Sequence, residues 1–291
     1  MSTSPSGSAL GTVVVTGASS GVGGEAARMF HRLGARVIAV GRDPAATRVL
    51  ADELGIDGLT VDFADLADVH RLAGALSSLV PRIDVLAANA GGIPRARAAT
   101  ADGIEPIFQV NAIGPSLLTT LLAPRLAGGR VVATSSRTHT GASFTRGETA
   151  AVATGTSGLA AHKVYARAKL SAGILLREFG RRHPEITVAD FHPGIIASGF
   201  GRYLGPAGSV LTALSRPFLD SPTDGARRLV ALATRTDGID GTYFVHDRPA
   251  PGSPQLHDPA LGAELWALAE RLTGYRGPRH PGQLGRGGEG P

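Results

Sequence analysis

The 291-residue sequence contains no cysteine, which excludes disulfides, thiol nucleophiles and thiolate metal ligands. It also lacks any run of about 18 apolar residues, the length that a membrane-spanning helix requires. The first ten residues, MSTSPSGSAL, have neither the basic region nor the apolar core of a secretory signal. We therefore expect a cytoplasmic protein with no membrane span.

Lysine is nearly absent as well, since Lys163 and Lys169 are the only two lysines among 29 basic residues. The arginines are scattered among acidic and apolar positions, and the net charge is only +5. A nucleic-acid partner needs a basic cluster with aromatic residues among the charges, and the sequence has none. The nine histidines form no His-Glu-x-x-His or other close ligand pair. The sequence therefore predicts neither a nucleic-acid partner nor a metal site.

Six short apolar or β-branched segments alternate with five segments of helical spacing, which is typical of an α/β protein. The predicted strands are GTVVVTG, RVIAVG, GLTVDF, IDVLAANAG, GRVVATSS and ITVADFHPG, and the predicted helices are 24–35, 44–55, 65–80, 103–127 and 158–182. Apolar strands joined by helices predict a parallel sheet covered on both faces, which is a doubly wound Rossmann fold. Further along, GTYFV predicts a last strand and 258–273 a last helix.

The first predicted strand enters a glycine-rich turn, TGASSGVG, in which Gly17, Gly21 and Gly23 precede a helix. Glycines let the backbone approach a pyrophosphate, and the helix N-terminus favours its negative charge. The same letters also match the Gly-x-Ser-x-Gly elbow of serine hydrolases, with Ser19 as nucleophile. Because the turn follows the first strand and no acid and histidine stand out as partners, nucleotide binding is favoured.

Cofactor choice depends on the end of the second strand, where Gly41 is followed by Arg42 and Asp43. A guanidinium pairs with a 2′-phosphate, which a carboxylate would repel. Arg42 therefore favours NADP(H) over NAD(H). Asp43 is the alternative, since it stands about where the acidic residue of an NAD site falls.

Tyr165 and Lys169 are four residues apart in a predicted helix, so their side chains lie on one face. Tyrosine is a poor base at neutral pH, but a neighbouring ammonium and an oxidised nicotinamide would lower its pKa. Lysine offers a compact ammonium that binds ribose hydroxyls and passes protons, which arginine does less well. An ordinary surface pair is the alternative for this spacing alone.

The sequence resembles the single-domain short-chain dehydrogenase/reductase family, in its retinol-dehydrogenase-like branch. The motifs that carry the resemblance are TGASSGVG at 16–23, DF at 62–63, NAG at 89–91, VN at 110–111, TSS at 134–136, YARAK at 165–169 and HPG at 192–194. They follow the family's order and cover residues 11 to about 250. The resemblance implies transfer of a hydride between a nicotinamide and a carbonyl or alcohol carbon of a small molecule.

The resemblance also implies the site residues. Tyr165 is the expected general acid or base, Ser136 orients the carbonyl oxygen, and Asn111 holds a water that links Lys169 to solvent. Ser135 is the alternative to Ser136. The expected cofactor contacts are Gly17, Ser19, Ser20, Gly21, Val22, Gly23, Arg42, Asp62, Phe63, Asn89, Ala90, Gly91, Asn111, Tyr165, Lys169, Pro193, Gly194 and Ile195. A structural role is the alternative for Asn89, which would hold strands together, and for Phe63, which would be a core residue.

The sequence departs from many family members in the long segment between Ser136 and Tyr165. We expect one domain over 11–273, with flexible tails at 1–10 and 274–291 and substrate loops at 137–163 and 196–216. His139, Arg137 and Tyr203 are candidate substrate contacts, although solvated loop positions are the more ordinary interpretation. The family's usual pairing surfaces, here 103–127 and 158–182, imply a homodimer or homotetramer.

Two functional alternatives remain open from the sequence. The fold supports epimerisation or elimination with no net redox change as well as simple reduction or oxidation. It also supports a regulator that binds NADP(H) without turnover.

Overall fold

The computed structural model describes residues 10–94, 98–196 and 219–276, and within them an eight-stranded sheet forms the centre of the protein. The strands stand in the order β3-β2-β1-β4-β5-β6-β7-β8. Their bounds are β1 Thr12–Thr16, β2 Arg36–Gly41, β3 Asp57–Thr60, β4 Val85–Ala88, β5 Arg130–Thr134, β6 Thr187–His192, β7 Thr242–Val245 and β8 Arg248–Pro249. Strands β1 to β7 are parallel, and β8 pairs antiparallel with β7. The predicted Rossmann fold is confirmed.

Helices cover both faces of this sheet. Their bounds are α1 Gly21–Arg32, α2 Pro44–Leu54, α3 Leu66–Leu79, α4 Pro106–Phe108, α5 Gly114–Leu121, α6 Ala123–Leu126, α7 Glu148–Ala153, α8 Ala161–Arg182, α9 Pro222–Thr234 and α10 Pro259–Thr273. Val13 and Val15 of β1 belong to the core layer with α1, α2 and α9, while Val14 belongs to the layer with α3, α5 and α8. Helix α10 packs against α8. Successive side chains of a strand point to opposite faces of the sheet, so one strand contributes residues to both core layers.

The predicted helix 103–127 is helical from Pro106 to Leu126 with a turn at Leu122, but it is not one regular α-helix. The structure divides it into α4, a π-helical turn Gln109–Ile113, α5 and α6. Pro106, Pro115 and Pro124 each stand in the first two positions of one of these helices. Proline lacks an amide donor, and each of these prolines stands where the hydrogen-bond pattern of the helical segment changes.

The predicted substrate loop 137–163 contains helical structure. It includes a 3-10 turn, Arg137–Gly141, and helix α7. Gln255, near the C-terminal end of the chain, clamps the segment: its Oε1 accepts from the Phe144 amide at 2.8 Å, and its Nε2 donates to the Phe144 carbonyl at 2.9 Å. The segment is therefore tied to the body of the protein, and its role toward substrate stays a prediction.

Other predicted regions lie largely outside the described residues. These are the tails 1–10 and 274–291, apart from Leu10 and 274–276, and the substrate loop 196–216, apart from Ile196. Among the helices that the structure describes, none is long and apolar enough to cross a membrane.

The strand order places a crevice over one end of the sheet. Strand β1 lies between β2 and β4, so the chain crosses from one side of the sheet to the other between β3 and β4. In doubly wound sheets, ligands bind outside the carboxyl ends of the strands at this reversal. The ends of β1 and β4 carry Gly17 and Asn89, two of the predicted site residues.

Candidate active site

The glycine turn after β1 has a backbone that only glycine adopts easily. Gly17 and Gly21 have φ values of 70° and 59°. A Cβ on Gly23 would lie 2.4 Å from the Gly17 carbonyl oxygen and 2.6 Å from Asn89 Nδ2. Ser20 stands at the N-cap of α1 without a side-chain cap bond, and the first turn holds no acidic residue. The first amides of α1 are therefore available to an anion.

Ser19 and Val22 pack the glycine turn against β2 and α9. A Cβ on Gly41, the last residue of β2, would lie 2.8 Å from Ser19 Cβ. A Cβ on Gly225 in α9 would lie 2.8 Å from a methyl of Val22. The turn thus packs against β2 on one side and α9 on the other.

Arg42 and Asp43 differ in what they contact. Arg42 is exposed and makes no hydrogen bond or ion pair with another described residue. Asp43 is the N-cap of α2, and its Oδ1 accepts from the Ala46 amide at 3.0 Å. The carboxylate therefore has a structural task, while the guanidinium is free to bind a ligand.

Asn89 joins three strands. Its Nδ2 donates to the Thr16 carbonyl at 3.1 Å, and its Oδ1 accepts from Thr134 Oγ1 at 3.0 Å. Thr16 Oγ1 in turn accepts from the amides of Asn89 and Ala90, both at 3.0 Å. These bonds fix the ends of β1, β4 and β5 relative to one another, as the structural alternative for Asn89 expects. Sequence reasoning missed Thr16, although a hydroxyl ending a run of valines was a visible signal.

Asp62 and Phe63 lie after β3. Asp62 is exposed, and its Oδ1 accepts from the Ala64 amide at 2.9 Å. Phe63 is buried in the core, and a Cβ on Gly114 of α5 would lie 3.0 Å from its ring. Packing against α5 is therefore the role of Phe63 that the structure displays.

Ser136, Tyr165 and Lys169 come together at the end of β5. The Ser136 side chain faces the Tyr165 phenol and is close enough to lower the pKa of that group. Lys169 Nζ donates to the Thr134 carbonyl at 2.9 Å and lies 5.9 Å from the centroid of the Tyr165 ring. Ser135 points elsewhere, with its Oγ 3.4 Å from His139 Nδ1. The geometry brings Ser136, rather than Ser135, to the phenol.

Burial shifts the two titrating groups in opposite directions. Tyr165 is 8% exposed and Lys169 4% exposed. Burial raises the pKa of Tyr165 to about 12, opposed by the Ser136 side chain. Burial lowers the pKa of Lys169 to about 8, opposed by the charge of Asp190. Among the chain's own groups, desolvation of the phenolate is the larger effect on Tyr165. The lowering of its pKa by the ammonium and an oxidised nicotinamide together stays a prediction.

Asn111 lies in the π-helical turn, an irregularity that occurs often at functional sites. Its Nδ2 donates to the Gly92 and Ile107 carbonyls at 2.6 and 2.8 Å, and its Oδ1 accepts from the Gly92 amide at 2.9 Å. These bonds tie the turn to the chain that follows β4.

Gly91 brings Asn111 and Lys169 into one place. A Cβ on Gly91 would lie 2.8 Å from Asn111 Oδ1 and 3.0 Å from Lys169 Nζ. Both polar atoms therefore border the backbone of Gly91, and a side chain there would displace one of them.

The segment Pro193–Ile195 is held by a pair that sequence reasoning missed. Arg228 Nη1 donates to the Pro193 carbonyl, and its Nη2 bonds Asp220 Oδ1 at 2.7 Å. Asp220 Oδ2 accepts from the Ile195 amide at 3.2 Å. Gly194 has a φ of 107° between them, and the Ile195 side chain is exposed. The clamp holds the predicted nicotinamide contacts at the end of β6.

The three candidate substrate contacts differ in burial and in whether the structure describes them. His139 is completely buried, so it is neither the substrate contact nor the solvated residue that the sequence suggested. Arg137 is exposed, and Tyr203 lies outside the described residues.

In the described ranges no three metal-ligating side chains stand together.

Comparisons with known proteins identify the family of this chain. The family model described as short chain dehydrogenase matches residues 11–207. The chain is 36% identical over 273 residues to "Putative daunorubicin C-13 ketoreductase DnrU" of Streptomyces sp. (strain C5), which covers 90% of this chain and 92% of the relative. It is 32% identical over 290 residues to retinol dehydrogenase 14 of Mus musculus, covering 90% and 86% of the two chains.

Solved structures show the same fold. An uncharacterized protein from Mycobacterium paratuberculosis superposes with a TM-score of 0.72 at 28% identity, covering 92% of this chain and 95% of that one. The RhlG/NADP active-site complex of Pseudomonas aeruginosa superposes with a TM-score of 0.64 at 23% identity, covering 80% and 93%. The chain therefore belongs to the short-chain dehydrogenase/reductase family, in its retinol-dehydrogenase-like branch, and is an NAD(P)-dependent oxidoreductase.

Proposed function

We propose that this protein is an NADP(H)-dependent ketoreductase or alcohol dehydrogenase that acts on a small organic substrate, with Tyr165 as general acid and base. The observation that carries the proposal is that the Ser136 side chain and the buried Lys169 ammonium both lie beside the Tyr165 phenol. The ketoreductase name of the Streptomyces relative supports this choice of reaction.

The residues around the crevice fit a nicotinamide dinucleotide. The turn Gly17–Gly23 would hold the pyrophosphate at the N-terminus of α1, and Arg42 would pair with a 2′-phosphate. Gly91 and Lys169 would border the nicotinamide ribose, with Pro193–Ile195 beyond them. When bound, the cofactor would supply a hydride to the carbonyl carbon in reduction and accept one from the alcohol carbon in oxidation.

The chain's own residues would handle the proton. In reduction, the Tyr165 hydroxyl donates its proton to the carbonyl oxygen, which Ser136 orients by a hydrogen bond. The Lys169 ammonium stabilises the tyrosinate that remains. Asn111, next to Lys169 at Gly91, would hold the water that returns the proton. The exact reverse describes oxidation of an alcohol.

Replacing Arg42 by alanine is expected to lower kcat/KM for NADPH about 10- to 100-fold, the value of one charge-assisted hydrogen bond, and to leave kcat/KM for NADH unchanged. Arg48→Ala in α2 is the matched control, since it removes another exposed arginine nearby. Asp43→Asn keeps the cap on α2 and should change neither value. Equal loss with both cofactors in Arg42→Ala would refute the assignment.

Carbonyl reduction is expected to slow as pH rises through about 8, the value to which burial lowers the pKa of Lys169. Below that pH Lys169 is an ammonium and stabilises the developing tyrosinate; above it the charge is lost, while Tyr165 still holds its proton. The measurement is kcat against pH at saturating NADPH, with thermal stability followed over the same range. A rate that increases above pH 8 contradicts the assigned roles.

The proposed function is tested by NADPH consumption with a panel of ketones and aldehydes that includes daunorubicin and retinal. NADPH consumption that depends on the carbonyl compound supports the proposed function. Binding of NADPH without consumption favours a regulator that binds the cofactor without turnover. A product of altered stereochemistry, or one that has lost a leaving group, formed without net loss of NADPH favours epimerisation or elimination. Light scattering of the same sample tests the proposed homodimer or homotetramer.

A further inference from the structure

His139 is a buried residue that has no assigned role. Its side chain has no exposed surface, and its ring meets that of Tyr243 edge-on, with centroids 4.6 Å apart and an interplanar angle of 82°. Nδ1 is hydrogen-bonded to the carbonyl oxygen of Ser136. The backbone amide of His139 donates to the same oxygen at 3.2 Å. His139 thus donates two hydrogen bonds to the Ser136 carbonyl oxygen, one from its ring and one from its backbone amide.

The hydrogen bond fixes the state of the ring. A carbonyl oxygen only accepts, so Nδ1 carries the proton and Nε2 is left as an acceptor. Nε2 is buried and has no hydrogen-bond partner in the described part of the chain. Burial also lowers the pKa of His139, which keeps the ring neutral. A neutral ring that donates through Nδ1 is suited to hold a backbone group and does not add a charge beside Lys169.

The chain around Gly252 leaves space for the His139 ring. Gly252 has a φ of 63°, and a Cβ there would lie 3.2 Å from His139 Nε2 and 3.4 Å from the Tyr243 ring. Ser253 Oγ donates to the carbonyl of Ala142, just beyond the turn, at 3.4 Å. The chain after β8 therefore closes over His139 and fixes it against the sheet.

Ser136 depends on this turn for its orientation. Ser136 is the N-cap of the 3-10 turn, and its Oγ accepts from the amide of Thr138 at 3.3 Å and from Thr138 Oγ1 at 3.0 Å. Thr138 is exposed and by itself offers little restraint. The bonds of His139 to the Ser136 carbonyl close the same turn from the buried side.

We propose that His139 is a positioning residue, which holds the carbonyl of Ser136 so that Ser136 Oγ stays against the Tyr165 hydroxyl. The inference rests on the proposed function, in which Ser136 orients the substrate carbonyl. It gives the long segment after β5 a role in catalysis that does not require contact with substrate.

Three variants separate positioning from packing. In His139→Asn the amide nitrogen occupies the place of Nδ1 and can still donate, whereas in His139→Leu a side chain of nearly the same size cannot. In His139→Gln the amide lies one bond further out, beyond the Ser136 carbonyl. All three lose the ring contact with Tyr243, so a purely structural role predicts similar effects in all.

Positioning predicts that His139→Leu and His139→Gln lose kcat about 10²-fold, with NADPH affinity and KM unchanged, and that His139→Asn retains most of it. If His139→Leu does not fold, the Asn and Gln variants alone make the comparison. Equal loss in Asn and Gln, or a loss confined to KM or cofactor affinity, overturns the inference.

A crystal structure of each folded variant provides a test that needs no activity. The Ser136 side chain should move away from the Tyr165 phenol in the Gln or Leu variant and stay beside it in Asn. An unchanged position of Ser136 in all of them overturns the role of His139. Wild-type protein that reduces no carbonyl refutes the proposed function instead, and the structures still decide the positioning of Ser136.

Discussion

Replacing Tyr165 by phenylalanine is expected to lower kcat for carbonyl reduction about 10²- to 10⁴-fold, the usual contribution of a general acid. The ring stays, so the buried packing of the side chain on α8 is kept, and only the proton donor beside Ser136 is removed. NADPH affinity should be nearly unchanged, since the phenol oxygen is not needed to hold the pyrophosphate turn. Steady-state kinetics and cofactor titration measure the two quantities separately.

Tyr275→Phe is the control for this variant. It makes the same chemical change just after α10, away from the end of β5. Its kcat should equal that of the wild type. If Tyr165→Phe is equally active, another group donates the proton and the assignment is wrong.

Replacing Lys169 by methionine is expected to lower kcat about 10²-fold or more, because the tyrosinate loses its neighbouring ammonium. Methionine fills much of the buried slot, so folding should survive, although the bond to the Thr134 carbonyl is lost. Lys169→Arg should not restore activity, because Gly91 leaves little room beside Nζ and a guanidinium is larger. Single-turnover rates with prebound NADPH report the chemical step directly.

The second lysine of the chain provides the matched control. Lys163 lies on the same helix and is exposed. Lys163→Met should therefore retain the wild-type rate and stability. Equal rates for the two methionine variants would show that Lys169 serves packing alone.

The strands of the sheet were predictable because local pattern decides them. β1, β2, β5 and β6 are apolar or β-branched runs, and a parallel sheet buried on both faces requires that composition. Strand β8 was missed because its signal is unusual. It follows a two-residue connection, His246 and Asp247, with φ values of 48° and 63°. Hairpin turns of this kind are normally recognised by asparagine and glycine, which are absent here.

The grouping of the candidate site residues was predictable to the extent that they stand in short motifs at strand ends. The glycine turn, the Tyr165 to Lys169 spacing and the serines after β5 are of this kind. The alternative in which Ser19 is a hydrolase nucleophile is wrong, since the chain is an NAD(P)-dependent oxidoreductase. The motif letters alone left that alternative open.

The supporting contacts were not predictable, because they join residues far apart in the sequence. Arg228 reaches Pro193, Gln255 reaches Phe144, and Gly252 makes room for His139. Local pattern also gave the wrong environment for His139. A histidine among threonines and glycines suggests solvent, and only the fold of β7 and the chain after it shows that the ring is buried.

Transfer of deuterium from the cofactor to the substrate directly tests the proposed hydride transfer and the role of Tyr165. Wild-type protein is incubated with NADPH deuterated at nicotinamide C4, in each of the two configurations, and with a ketone that it consumes. Hydride transfer with Tyr165 as proton donor predicts an alcohol that carries one deuterium at the former carbonyl carbon from one configuration only, and formation of this product at least about 10²-fold more slowly by Tyr165→Phe. A product without deuterium from either configuration, or formation of the deuterated alcohol by Tyr165→Phe at the wild-type rate, would refute the proposed mechanism.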